Sequence, residues 1–253
     1  AGSNDIFVSK LNASNAGATS LVYSTFIGGT DSDSAKSIAV DAAGQATIIG
    51  SVLNGGGYPV TVGAYDTTHN GALDVVVTAL NPAGSALIYS TYIGGNGSDI
   101  GNGVALDHFG NIYITGYSIN SGTDFPTTAN AYQVAHNGGH DVFMAKFSAN
   151  ASTLLYSTLI GGLGDDDGYA LAVDTTGNVY CTGLTNASTP PFPTTLIGYQ
   201  VTYGGGQDVF VSKFGSYAIN GRAVDAATGD PVAGVMVALS GITSESMLTG
   251  PDG

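Results

Sequence analysis

The chain contains one heptapeptide three times: YSTFIGG at residues 23–29, YSTYIGG at residues 89–95 and YSTLIGG at residues 156–162. A second segment, DIFVSKL in its first copy, begins at Asp5 and recurs from Asp74, Asp141 and Asp208, at intervals of 69, 67 and 67 residues. A fixed period of this kind indicates one structural unit used several times. The units lie near residues 5–73, 74–140 and 141–207, and residues 208–214 repeat the second segment once more.

Each unit has four short apolar runs that predict four β-strands. In the first unit these runs are DIFVSKL, LVYSTFI, SIAVD and QATIIGS. The last two are joined by an Asp-x-x-Gly sequence, which recurs as Asp41 to Gly44, Asp107 to Gly110 and Asp174 to Gly177. Because Asp accepts hydrogen bonds from turn amides and Gly adopts positive φ, this sequence predicts a tight hairpin. Four short antiparallel strands at a fixed period are typical of a β-propeller blade.

The composition agrees with strands and turns and excludes several classes of function. Gly accounts for 39 of the 253 residues, and only 9% are charged. The net charge of −14 would repel nucleic-acid phosphates and anionic membranes. The sequence contains no run of 18 or more apolar residues, which is the length that a helix needs to span a bilayer. The single cysteine, Cys181, stands at an apolar strand position, where the second unit has Ile114, which predicts a core residue. The chain begins AGSNDIF, as expected of a piece of a longer protein.

The combination of YST-x-IGG, the Asp-x-x-Gly-Asn hairpin and FPTT resembles the SBBP-type β-propeller repeat over residues 5–214. That family is named for seven-bladed propellers of exported bacterial and archaeal surface proteins. The resemblance implies an extracellular, cell-surface location and brings no catalytic residues. Comparison with other propellers implies that SIAVD is the innermost strand, QATIIGS the second, DVVVTAL the third and LIYSTYI the outermost. The propeller region is expected to span residues 1–215 and to begin and end within a blade.

The repeat pattern stops before the last part of the chain. GRAVD at residues 221–225 and TGDPV at residues 228–232 resemble the start of a carboxypeptidase-regulatory-like, prealbumin-like β-sandwich. This resemblance implies a partial β-sandwich over residues 216–253. The prediction for the whole chain is therefore all-β, with about three four-stranded blades followed by a partial sandwich.

Aspartates in equivalent glycine-rich loops are the candidates for a metal site. They are Asp31, Asp33, Asp99, Asp165, Asp166 and Asp167. Clustered carboxylates suit Ca²⁺, which takes six to eight oxygen ligands. A turn-capping aspartate in every blade explains the same recurrence without a metal, and no other cofactor is indicated. The aspartates that open the DIFVSKL segments are followed five residues later by Lys10, Lys146 and Lys213, which predicts ion pairs.

Two further sets of residues suggest contacts outside the chain. Four N-x-S/T sequons are candidate glycosylation sites if the protein is exported, at Asn12, Asn96, Asn150 and Asn186. Tyrosines recur in the long loop of each unit, at Tyr65, Tyr132 and Tyr199. These rings are expected to pack between blades, and stacking on a carbohydrate is the alternative.

These observations predict a non-enzymatic structural or adhesive module of an exported surface protein. No catalytic motif is present. Three blades would leave two apolar end faces bare, so self-association is expected, with a filament or surface array favoured over a closed ring. The alternatives are a lectin-like propeller that binds carbohydrate or Ca²⁺, and an exported hydrolase or lyase.

Overall fold

The computed structural model describes residues 2–119, 125–186 and 189–215, and two short strands further along the chain, Met236–Ala238 and Ser246–Leu248. These residues are all-β, as predicted, and their one helical element is a 3₁₀ turn at Gly17–Ser20. No helix among them is long and apolar enough to cross a membrane. The chain separates into two compact units, Ala1–Gly215 and Ser216–Gly253.

Two complete four-stranded antiparallel sheets lie in the middle of the first unit. Blade A consists of β3 (Asp33–Val40), β4 (Ala46–Leu53), β5 (Leu73–Leu80) and β6 (Leu87–Ile93). Blade B consists of β7 (Ser98–Leu106), β8 (Ile112–Ile119), β9 (His140–Phe147) and β10 (Leu154–Ile160). In both blades the strands pair in chain order, which confirms the predicted order. One parallel bridge, between Leu73 and Ser98, joins the two blades.

Incomplete blades flank these two sheets. Half-blade N consists of a third and an outer strand, β1 (Ile6–Leu11) and β2 (Leu21–Ile27). Blade C consists of an inner, a second and a third strand, β11 (Asp166–Val173), β12 (Val179–Asn186) and β13 (Gln207–Phe214). Strand β7 contacts both β3 and β11, so the inner strands of blades A, B and C are neighbours.

The hairpin between the inner and second strands has the predicted chemistry in every blade. Gly44, Gly110 and Gly177 have φ values of 84°, 82° and 83°, a region that side chains strain to adopt. The aspartate that opens each hairpin accepts a backbone N–H from the residue four positions later. In blade B, for example, the Asn111 N–H donates to Asp107 Oδ1 over 2.9 Å. The Asp-x-x-Gly prediction is therefore confirmed.

Apolar side chains between adjacent sheets hold the blades together. Ile6, Val8 and Ile27 of half-blade N are buried in one cluster with residues of blade A, such as Ile48 and Val76. Between blades B and C, a second cluster contains Val142, Ile160, Cys181, Phe192 and Phe210. Cys181 is buried, as predicted, and it behaves as a core residue because it fills an apolar position between two sheets.

The predicted β-sandwich over residues 216–253 lies outside the described residues except for two strands. These strands, β14 (Met236–Ala238) and β15 (Ser246–Leu248), pair in antiparallel fashion with Val237 opposite Met247.

Candidate functional site

Two aspartates and a Gly-Gly pair meet wherever one blade passes to the next. Between blades A and B, Asp74 lies near the start of the third strand β5 and Asp99 near the start of the inner strand β7. Gly94 and Gly95, the end of the YSTYIGG heptapeptide, form the connection between the blades. Both aspartates are completely buried. The sequence predicted Asp99 as a candidate but did not associate it with Asp74, which lies 25 positions earlier in the chain.

Each of these aspartates closes a loop by accepting a hydrogen bond from the backbone amide of the residue four positions before it. The Asn70 N–H donates to Asp74 Oδ2 over 2.7 Å, and the Gly95 N–H donates to Asp99 Oδ2 over 2.7 Å. The same two bonds occur in the next junction, to Asp141 over 2.8 Å and to Asp166 over 2.7 Å. The recurrence of these aspartates therefore follows from loop closure, the alternative that the sequence left open.

The first glycine of each Gly-Gly pair lies directly against the two carboxylates. A Cβ on Gly94 would lie 2.9 Å from Asp74 Oδ1 and 2.9 Å from Asp99 Oδ2. A Cβ on Gly28 would lie 2.7 Å from an oxygen of Asp5 and 2.7 Å from an oxygen of Asp33. Any side chain at these positions would push the carboxylates apart, which explains why the heptapeptide ends in glycine.

The second carboxylate oxygens are buried without a hydrogen-bond partner, and this affects protonation. The orphaned atoms include Oδ1 of Asp33, Asp74, Asp99, Asp141 and Asp166. The pKa of Asp99 is raised to about 6, chiefly by burial and in smaller part by the negative charge of Asp74, and hydrogen bonds from Ser118 and Gly95 partly offset this rise. Burial is also the largest cause that raises the pKa values of Asp33, Asp74 and Asp166. A proton on one carboxyl of a pair relieves the repulsion between two buried charges.

The six aspartates predicted as Ca²⁺ ligands do not form one cluster. Asp33, Asp99 and Asp166 belong to three different junctions. Among the others, Asp31 is half-buried, Asp165 is exposed, and Asp167 contacts His140. In the part of the chain that the structure describes, no group of three or more His, Cys, Asp or Glu side chains is arranged to hold a metal ion. Ca²⁺ binding stays a prediction, which thermal unfolding with and without EDTA would test.

The predicted ion pairs between the repeated aspartates and lysines are wrong for the described residues. The aspartates face loop amides, as in the bond from Asn137 to Asp141. The lysine ammonium groups lie over aromatic rings, Lys146 over Tyr113 and Lys213 over Tyr180, each 5.1 Å from the ring centre. An ammonium attracted by an aromatic face needs no carboxylate nearby.

A second cluster, between blades B and C, consists of residues that depart from the repeat. His140 Nδ1 lies 2.9 Å from Asp167 Oδ1, and the His140 ring stacks on Tyr117 with centroids 4.8 Å apart. Tyr169 is partly exposed and interacts with Asp167. Burial is the largest cause that raises the Tyr169 pKa, and the negative charge of Asp167 raises it as well. We call these four residues the His140 cluster. Sequence reasoning missed this cluster. The signal was present in the sequence, since the residues equivalent to His140 in the other units are Leu73 and Gln207.

The remaining candidates are distributed over the surface of the first unit. Asn12, Asn96 and Asn150 are exposed in loops, and Asn186 is half-buried at the end of β12. Tyr65 packs edge-on against Phe147, as predicted for a tyrosine between blades. Tyr132 and Tyr199 are exposed, so the same prediction does not hold for these two rings among the described residues.

The comparison with known families agrees with this arrangement. Residues 88–126 and 155–188 match the SBBP beta-propeller repeat. Each matched segment begins in the outer strand of one blade and extends through the inner and second strands of the next. Both therefore include a Gly-Gly pair and the inner-strand aspartate of a junction, Asp99 or Asp166. No curated protein matches the chain at a significant level.

Proposed function

We propose that this chain is a non-enzymatic structural module of an exported cell-surface protein, and that it associates with further copies of itself in a filament or surface array. The repeat match supports a structural or binding role in general. The finer proposal rests on one observation, the apolar surface at both ends of the blade series.

Side chains that are buried in the complete blades are exposed in the incomplete ones. In half-blade N, Phe7 is 69% exposed and Phe26 is 77% exposed. In blade C, Val209 and Val211 are 71% and 74% exposed, whereas their equivalents in blade B, Val142 and Met144, are buried against blade C. Contiguous apolar surface is rare on soluble monomers and marks interaction sites. A neighbouring blade of another copy would bury these residues as blade C buries those of blade B.

Sedimentation velocity over a range of concentrations tests self-association. We expect species larger than 25.2 kDa for the unaltered chain. Val211→Lys places a charge in the exposed face of blade C and should give monomers. The matched control, Val62→Lys, changes a loop valine that is fully exposed and should sediment like the unaltered chain. A single 25.2 kDa species at every concentration would exclude the proposal.

The exported location is supported by the resemblance and by the three exposed sequons, Asn12, Asn96 and Asn150. The intact mass of protein from its native source tests the glycans that such a location permits. A mass above that of the bare sequence, lost on enzymatic deglycosylation, is the expected result. The bare mass would show that the sequons are not used.

A lectin-like role is the second candidate, and the His140 cluster favours it. A half-exposed tyrosine beside a carboxylate and an imidazole offers a sugar both a stacking surface and hydrogen bonds. Binding to a glycan array, lost in Tyr169→Ala and retained in Tyr132→Ala, would support this role. Both substitutions change an exposed tyrosine, and only Tyr169 belongs to the cluster.

A further inference from the structure

In both complete blades, the loop between the second and third strands lies along the free edge of the outer strand. In blade B, the Thr128 N–H donates to Ser157 O over 3.0 Å, and the Ser157 N–H donates to Thr128 Oγ1 over 3.1 Å. Further along, the Gln133 N–H donates to Thr158 Oγ1 over 3.0 Å, and the Leu159 N–H donates to Gln133 O over 3.0 Å. The outer strand is thus held between the third strand and the loop.

Blade A holds its outer strand in the same way. The Thr61 N–H donates to Ser90 O over 3.1 Å, the Ser90 N–H donates to Thr61 Oγ1 over 2.9 Å, and the Asp66 N–H donates to Thr91 Oγ1 over 2.9 Å. The bonded residues are the Ser and Thr of the YST sequence in both blades. This loop therefore recognises an outer strand that carries Tyr-Ser-Thr.

Blade C has the loop in the same conformation but has no outer strand in the described residues. The Gly198 N–H donates to Thr195 O over 2.9 Å, and the equivalent turn in blade B is also closed over 2.9 Å. Gln200 Nε2 donates to Thr202 O over 3.0 Å, as its equivalent in blade B does over 2.9 Å. We call the space between β13 and this loop the blade C slot. The bonds that close this loop lie within it, so its turns do not depend on a bound outer strand.

The sequence of the chain identifies an occupant. Strand β2 has the Tyr-Ser-Thr sequence, and in this chain it is paired on one side with β1. Strand β1 reads IFVSKL, and residues 209–214 of β13 read VFVSKF. Val209 and Val211 stand in β13 where β1 has Ile6 and Val8, which are buried against blade A. β13 can therefore replace β1 beside β2 with nearly the same side chains in the same register.

We propose that β13 of one copy takes the place of β1 beside β2 of a second copy, so that this β2 fills the blade C slot. The inference rests on the proposed self-association and specifies how it occurs. Addition of a strand to an open sheet edge is a common mode of recognition between chains. The exchange pairs Ser24 of the second copy with Thr195 and buries Val209 and Val211 against blade A of that copy.

Engineered disulfides test the pairing of β13 with β2. Ser9 Oγ and Ser24 Oγ lie 2.7 Å apart across β1 and β2, and the repeat places Ser212 where Ser9 stands. The double variant Ser24→Cys with Ser212→Cys should form disulfides between copies on oxidation, seen as dimers or larger species on a non-reducing gel. The control, Ser9→Cys with Ser24→Cys, reports the unexchanged hairpin and should give a disulfide within one copy.

A matched pair of threonine variants tests the slot. Thr195→Val removes the hydroxyl that would accept the Ser24 N–H, and we expect association about tenfold weaker, the effect of losing one to two hydrogen bonds. Thr194→Val should leave association unchanged, because the Thr194 hydroxyl bonds only within its own loop and blade A has Val60 at that position.

The outcomes separate this inference from the proposed function. Disulfides between Ser24→Cys and Ser212→Cys, with a selective effect of Thr195→Val, support strand exchange. Association without these disulfides overturns strand exchange and leaves self-association through the exposed faces. A chain that is monomeric at all concentrations overturns both.

Discussion

Blades B and C contain nearly the same third strand in very different surroundings. Strand β9 reads HDVFMAKF and strand β13 reads QDVFVSKF. Met144 of β9 is buried, whereas the equivalent Val211 of β13 is 74% exposed. The difference arises because β9 has an outer strand beside it and another blade on each face, while among the described residues β13 packs against blade B on one face. Local sequence therefore determines the strand, and neighbouring blades determine what the strand buries.

The largest expected effect comes from truncating the side chain at the equivalent position of the two strands, Met144 in β9 and Val211 in β13. Met144→Ala should lower the free energy of unfolding by about 2–5 kcal/mol, because it leaves a cavity between blades B and C. Val211→Ala should change it by less than about 0.5 kcal/mol, because the valine is exposed. Urea denaturation at a concentration where the chain is monomeric measures both. Equal losses would contradict the difference in burial between the two strands.

A smaller effect is expected from pH, and it has opposite signs at the junction and the hairpin. The folded-state pKa of Asp99 is about 6, above the ordinary aspartate value of about 3.8, so its contribution to stability falls as pH rises from about 4 to 6. Asp99→Asn should therefore gain stability relative to the unaltered chain over this range, on the order of 2 kcal/mol at about 1.4 kcal/mol per pKa unit.

The hairpin aspartate is the control for this pH prediction. Burial alone would raise the pKa of Asp107, but hydrogen bonds from Asn111, Phe109 and Tyr113 outweigh burial and lower it. Its contribution is present above the unfolded pKa and is lost on acidification. Asp107→Asn should lose stability relative to the unaltered chain as pH rises through about 4. The urea midpoint of each variant relative to the unaltered chain is measured at several pH values. If the two differences change with pH in the same way, the opposite pKa shifts of Asp99 and Asp107 are contradicted.

The smallest expected effect concerns the hairpin glycines, and it should be the same in both blades. Gly110→Val and Gly177→Val each force a side chain into positive φ, at a cost of about 1–2 kcal/mol. Because the strain is local, the presence of a neighbouring blade should not change it. Thermal unfolding of the two variants checks this, and a clear difference between them would mean that packing contributes to the hairpin effect.

The repeated elements could be predicted from the sequence because three copies of a pattern contain local information. The four strands, their order and the hairpin of Asp107 and Gly110 follow from period, turn chemistry and comparison with other propellers. The pairing of Asp74 with Asp99 could not be predicted, because it depends on how two adjacent sheets meet. The contact between His140 and Asp167 depends on the same junction, and only its departure from the repeat is visible in the sequence.

Hydrogen exchange of β9 and β13 at low and high protein concentration tests the central claim that blade C is completed by another copy. The amides of β9 should be protected at both concentrations, because they lie between β8 and β10. The amides of β13 that point away from β12 should exchange quickly at low concentration and become protected at high concentration, together with the Ser24 amide. Protection of β13 that does not change with concentration, or the absence of protection at any concentration, would contradict the account.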